Sequence, residues 1–195
     1  MNTLGPWPGE DSPSPRPQRT APTGSVVPPG SGRRIVTPAL EVTLKIPGDR
    51  TEVGSLFEVD VPAGFDVGAH VHRKAEEFFY VVHGEVELFA FEPAIRSADG
   101  WRTWRSADGE RVVRAGPGAV VHIPPGCPHA FANPGPAPAQ LLFQAAPPPD
   151  HERYFEELQL LLRGDVRVSA TAIEALRRRY DIEQLTPLRT GPFPS

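Results

Sequence analysis

Two stretches decide how this chain folds: GFDVGAHVHRKAEEFFYVVHG, residues 64–84, and GAVVHIPPGCPHAFAN, residues 118–133. Their charged and imidazole side chains make sense only as parts of one site. Side chains at i and i+2 of a strand share a face, so His70 and His72 place two imidazoles about 7 Å apart on one side, a spacing from which both rings can tilt onto one ion. Glu77 opens the apolar run Glu-Phe-Phe-Tyr-Val-Val after a short polar turn. An antiparallel partner strand therefore carries its carboxylate back beside the imidazoles. His129 supplies the fourth ligand that such a site wants. It follows Pro-Pro-Gly-Cys-Pro at 124–128, where proline and glycine favour a tight turn and cannot continue a paired strand.

Outward from these stretches, the chain from Arg34 onward consists of short runs rich in β-branched and aromatic residues, cut by Gly, Pro and Asp. That texture predicts a sandwich or barrel. Strands are expected over 42–46 and 55–61, where Phe57, Val59 and Val61 alternate with Glu58 and Asp60. A strand carrying His70 follows, then a hairpin of 78–82 and 85–91 across His83-Gly84, with Glu77, Phe79 and Val81 facing inward. Strands at 112–113, 119–123 and 140–144 complete the set. After the prolines at 147–149 the period becomes helical. Tyr154, Phe155, Leu158, Leu161 and Leu162 form a stripe behind Asp150 as N-cap, and Gly164 is the stop. A second helix over about 170–180 has Thr171 and Glu174 at capping-box spacing. Residues 1–32 hold eight prolines and few apolar side chains, too little to offset the entropy of ordering. The expected division is a disordered segment (1–32), a β-barrel (33–147) and a helical extension (148–195).

Between 92 and 111, Arg-Ser-Ala-Asp-Gly occurs twice, at 96 and 105, which predicts an extra hairpin or loop. Trp101 and Trp104 there either cap the mouth of the barrel, meet a second subunit or simply pack the insertion. His122 is read as pocket-lining or as an ordinary surface or core residue. His83 and His151 are expected to be exposed, and nothing near Cys127 suggests a reactive thiol.

With 195 residues and 39% hydrophobic content, the chain can bury one good core. Its net charge is −4, and its basic residues are scattered apart from Arg177–Arg179, which argues against a nucleic-acid partner. No apolar run approaches the ~20 residues of a membrane span, and the N-terminus lacks the regions of a secretory signal. One cysteine excludes an internal disulfide and fits a reducing compartment. The protein is expected to be cytoplasmic.

The spacings Gly64-x5-His70-x-His72-x4-Glu77-x6-Gly84 and Gly118-x5-Pro124-x-Gly126-x2-His129-x3-Asn133 resemble the two motifs of the cupin superfamily. That resemblance implies a mainly β fold, a small antiparallel barrel of the double-stranded β-helix type, in which His70, His72, Glu77 and His129 hold one divalent metal. Iron, manganese, nickel, cobalt, copper and zinc all suit three imidazoles and a carboxylate. Four protein ligands on an octahedral ion leave two positions open, as catalysis requires. The wording Glu-Arg-Tyr-Phe-Glu-Glu (152–157) and Arg-Arg-Tyr-Asp-Ile-Glu (178–183) is similar to the tails of bacterial quercetin dioxygenase-like monocupins, which more often carry Gly where Asp181 stands. The implied function is a dioxygenase acting on an aromatic or enol-containing small molecule, with Glu77 as ligand and catalytic proton acceptor. An oxygen-independent cyclase or isomerase of polyketide-like substrates, and a non-catalytic small-molecule binder, stand as alternatives. A homodimer is expected.

Overall fold

The alternation of buried and exposed side chains read from the sequence becomes strands in the computed structural model, which describes residues 23–97, 100–148, 150–163 and 168–189. In chain order the strands are β1 (Arg33–Val36), β2 (Glu41–Ile46), β3 (Ser55–Val61), β4 (His70–Val71), β5 (Glu76–His83) and β6 (Val86–Ala90). They continue as β7 (Val113–Ala115), β8 (Val120–Ile123), β9 (His129–Ala132), β10 (Ala139–Ala146) and, after helices α1 (Asp150–Leu162) and α2 (Ala170–Arg179), the short β11 (Glu183–Gln184). Most of the Pro-rich segment, with Trp7, and the expected helix stop at Gly164 lie outside the described residues.

The strands pair antiparallel in two sheets, ordered β1-β2-β3-β10-β5-β8 and β11-β4-β9-β6-β7. This is the mainly β architecture with two C-terminal helices that the sequence implies. In β3 and β10 every second side chain is buried, and Phe57, Val59 and Leu141 of the first sheet share one core with Val86 and Phe131 of the second. That shared core fixes the sheets face to face. Burying such side chains contributes about 1.5–3 kcal/mol each.

Helix α1 lies against the β1 and β3 end of the first sheet. Its Glu152, buried, takes hydrogen bonds from the Gly48 amide and the Ser55 hydroxyl and lies 3.7 Å from Arg33. Phe155 packs edge-on against Phe57 at 5.5 Å. The N-terminus of α1 is thereby tied to the sheet.

Three details differ from expectation. Ser169, not Thr171, caps α2, its hydroxyl accepting from the Ala172 amide at 3.2 Å. Asp150 is the first residue of α1 rather than its cap. Strands β1, β9 and β11 were not foreseen. The insertion forms a 3-10 turn at Trp101–Thr103 and a bridge between Arg105 and Arg111. Trp101 and Trp104 are buried around Phe89 and Phe91, so they pack the insertion onto the sheet instead of capping a mouth. No helix among the described residues is long and apolar enough to cross a membrane.

Candidate metal centre

Strands β4 and β9 pair so that His70 lies directly opposite His129, ring centroids 4.2 Å apart. His72 stands just past the end of β4, its ring 5.1 Å from His70 and 5.4 Å from His129. The two imidazoles of the His-x-His pair are closer than regular strand geometry sets them, because β4 stops at Val71 and the rings tilt together. Glu77 arrives from the other sheet on β5. The four residues are buried, and their ligand atoms all lie within 4.8 Å of one another. The cluster thus joins the two sheets at one point.

What orients each ring is a backbone carbonyl. Nδ1–H of His70 donates to Gly68 O at 2.9 Å, that of His72 to Asp181 O at 3.1 Å, and that of His129 to Cys127 O at 3.0 Å. A carbonyl only accepts, so each ring carries its proton on Nδ1 and turns a bare Nε2 lone pair toward the centre. Glu77 Oε1 then lies 3.1 Å from His72 Nε2, and Oε2 lies 3.1 Å from His129 Nε2. Glu77 Oε2 and His129 Nε2 are both buried without a hydrogen-bond partner. Two acceptor atoms this close and this deeply buried repel unless a cation stands between them. The donor set and these orphaned atoms therefore fit a divalent metal ion.

The electrostatics of His70 and Glu77 agree. Burial, reinforced by the neighbouring imidazoles, holds His70 well below the ordinary histidine range, so it stays neutral and able to bind a metal. Burial pushes Glu77 up, but the imidazoles ranged around its carboxylate, His72 first and then His129 and His151, outweigh burial and hold the carboxyl well below its usual range. For His72 burial lowers the pKa, yet Glu77 and Asp181 together raise it.

The backbone that holds these carbonyls is specialised. Gly68 has φ +73°, and a Cβ there would meet Thr186 O at 2.4 Å, so only glycine brings the carbonyl that fixes His70 this near the C-terminal segment. Asn133, the last residue of the second motif, donates to Val61 O and Ala137 O, and its own carbonyl accepts from the Gly64 amide at 2.9 Å. It ties the start of one motif to the end of the other. The Gly126 amide donates to His72 O at 2.6 Å, which docks the Pro-Pro-Gly turn on the first motif.

Asp181 explains its own departure from the Gly of similar tails. It is the one non-glycine residue with positive φ among the described residues, at 59°, where a Cβ costs roughly 1–2 kcal/mol. Its carboxylate compensates by accepting from the Lys74 amide at 2.6 Å and the Ala75 amide at 3.2 Å, while its carbonyl holds His72. Asp181→Ala, which keeps the strain and loses both bonds, is expected to be less stable than Asp181→Gly by about 1 kcal/mol. Urea denaturation of the two variants checks this, and equal midpoints would refute it.

Of the other three histidines, one falls differently from expectation. His151 is 5% exposed, not on the surface, and its Nε2 lies 2.9 Å from Glu77 Oε1. It heads the apolar stripe of α1 at i, i+3, i+4 and i+7 with Tyr154, Phe155 and Leu158, and that position was the available clue. His122 is an exposed residue, 2.7 Å from Glu76 and stacked on Phe78 outside the first sheet. His83 is exposed as foreseen. Cys127 serves through its carbonyl, and burial pushes its thiol up.

The model of the cupin family matches residues 25–173. The chain belongs to the cupin family. Comparison with curated proteins finds none that matches this cupin. Among solved structures it is similar to the polyketide cyclase RemF from Streptomyces resistomycificus, at 21% identity over 65% of this chain and 83% of that one, with a TM-score of 0.48. It is also similar to the oxalate decarboxylase from Lactobacillus farciminis, crystallised as a formate complex, at 22% identity over 58% of this chain, with a TM-score of 0.44. The cupin spans 30% of that decarboxylase's length. Likeness at this level concerns fold alone.

A cavity of about 100 Å³ adjoins the cluster. His70, His72, Glu77 and His151 border it, and Phe79, Phe131 and Phe143 line it together with Tyr154, Phe155 and Leu158 of α1. Phe89 lies outside it, stacked on Trp101.

Proposed function

We propose that this cupin is a metal-dependent dioxygenase that acts on a hydroxylated aromatic or enolic small molecule, a quercetinase-like activity. The observation that carries this reading is the position of Glu77: an ionised carboxylate, buried in the ligand cluster, on the border of a cavity lined mainly by aromatic and aliphatic side chains. His70, His72, Glu77 and His129 would hold the metal, which supplies a Lewis acid for an enol or hydroxyl oxygen and a site for dioxygen. The chain does the rest. Glu77 takes the hydroxyl proton of the bound substrate. Phe79, Phe131 and Phe143 accept an apolar ring and exclude water. The cavity is smaller than the ~150 Å³ that receives benzene in an engineered protein core, so a flavonol-sized substrate must displace part of the α1 wall.

The test is oxygen uptake by metal-reconstituted protein supplied with a flavonol such as quercetin. Uptake matched to substrate loss supports the dioxygenase. Conversion without uptake points to a cyclase or isomerase, and binding without conversion to a small-molecule binder.

The reading includes a homodimer. It is supported by the exposed row Phe78, Tyr80 and Val82 on β5 beside Val120 on the edge strand β8, an apolar surface that a second copy can cover. Light scattering is expected to report a dimer, and a monomer at micromolar concentration refutes it.

A further inference from the structure

His151 is a titratable side chain against the cluster that neither motif contains, and its environment differs from that of the other three imidazoles. Each of those has Nδ1 fixed on a carbonyl. In His151 both ring nitrogens are buried and neither has a hydrogen-bond partner in good geometry, although Nε2 lies 2.9 Å from Glu77 Oε1. A histidine that served only the core would have both nitrogens satisfied. Nor does it complete the metal site: the set whose ligand atoms lie within 4.8 Å of one another contains His70, His72, Glu77 and His129 and leaves His151 out.

The ring is nevertheless held in place. It packs edge-on against Phe143 at 5.4 Å and tilted against His72 at 5.0 Å. The next residue, Glu152, anchors the start of α1 to Gly48 and Ser55. A fixed imidazole with unused hydrogen-bonding capacity, bordering the cavity and touching the carboxylate of the cluster, is a preorganised recognition group.

We propose that His151 binds the hydroxyl of the molecule that occupies this cavity. The adjacent Glu77 carboxylate, which only accepts, favours the tautomer with the proton on Nε2 and leaves the Nδ1 lone pair as an acceptor. The complementary ligand group is a hydroxyl or enol O–H, which donates to that lone pair. An ether or a fully methylated analogue cannot. The inference deepens the proposed function, since it rests on the cavity being the substrate site, and it assigns to α1 a direct part in choosing the substrate.

Phenol, a small molecule that carries one hydroxyl and no chelating pair, is a suitable probe. Cobalt-loaded protein would be titrated with it and followed by visible absorption, for the wild type, His151→Phe and His151→Gln. Cobalt content, measured by elemental analysis, is expected to be unchanged in both variants. Affinity for the probe is expected to fall roughly tenfold or more in His151→Phe, the effect of one lost buried hydrogen bond, and to recover in part in His151→Gln, whose amide oxygen still accepts. Equal affinity in wild type and His151→Phe overturns the inference. So does loss of cobalt in step with affinity, which would make His151 a metal ligand. A wild type that keeps cobalt and does not bind the probe overturns this inference while leaving the metal site standing, whereas a wild type that takes up no metal defeats the proposed function itself.

Discussion

Asp66→Ala is expected to lower the stability of the folded protein by roughly 3 kcal/mol, the cost of orphaning several donors around one buried acceptor. Asp66 is 3% exposed and accepts from the Gly68 amide at 2.8 Å, from the Trp101 indole at 3.0 Å and from Arg102 Nη1 at 2.8 Å. Alanine removes the acceptor and leaves the donors in place. Gly68 and Trp101 lose a bond that water cannot easily replace. Arg102 is about a third exposed and keeps its bond to Glu87 at 2.9 Å, so solvent offsets part of its loss. Because the Gly68 carbonyl orients His70, the damage reaches the cluster, and metal retention is expected to weaken as well. Asp66→Asn keeps one oxygen acceptor and is expected to fall between. Urea denaturation with an unchanged slope and a shifted midpoint is the expected result; an unshifted midpoint for Asp66→Ala would show that the network contributes nothing.

Asp66 also marks the limit of what the sequence reveals. The four-residue cluster was legible because its members recur at the spacings of the two motifs, and β3 because Phe57, Val59 and Val61 alternate with Glu58 and Asp60. Strand β9 was not legible, since all four of its residues are buried and an unbroken apolar run carries no period-two signal. Strand β1 buries only Ile35, and β11 exists because Asp181 turns the chain so that Glu183 and Gln184 reach β4. None of these is a local property. The same holds for the carbonyls behind the imidazoles: Cys127 O and Gly68 O are two residues from the ring they orient, but Asp181 O comes from the far end of the chain. The burial of His151 is hidden in the sequence for a different reason. Its place on the α1 stripe was visible, but a histidine at the head of an apolar face is usually read as solvent-facing, and only the packing of α1 against the first sheet turns it inward.

The sharpest separation within the cluster is expected between His129→Ala and Glu77→Gln. His129→Ala deletes an imidazole whose Nε2 has no hydrogen-bond partner in the cluster, so metal content is expected to fall with little else for the variant to lose. Glu77→Gln keeps the volume and one carbonyl oxygen on β5, and much of the metal is expected to remain. What it removes is the charge and the capacity to take a proton. Glu77 is the only acid in the set, and burial in the company of three imidazoles keeps it ionised, so in the proposed reaction no other ligand can receive the substrate's hydroxyl proton. Loss of a positioned general base typically costs 10²–10⁴-fold, and a drop of about that size in turnover is expected at equal metal content. His72 and His129 cannot substitute, because their Nδ1 protons are engaged by Asp181 O and Cys127 O and their Nε2 lone pairs face the centre. The measurement is turnover of both variants, loaded to the same metal content, on a substrate that the wild type converts. Wild-type turnover by fully metallated Glu77→Gln would make Glu77 a structural ligand only, and the proton would then have to leave by way of solvent or of His151, whose Nε2 is 2.9 Å from the same carboxylate oxygen.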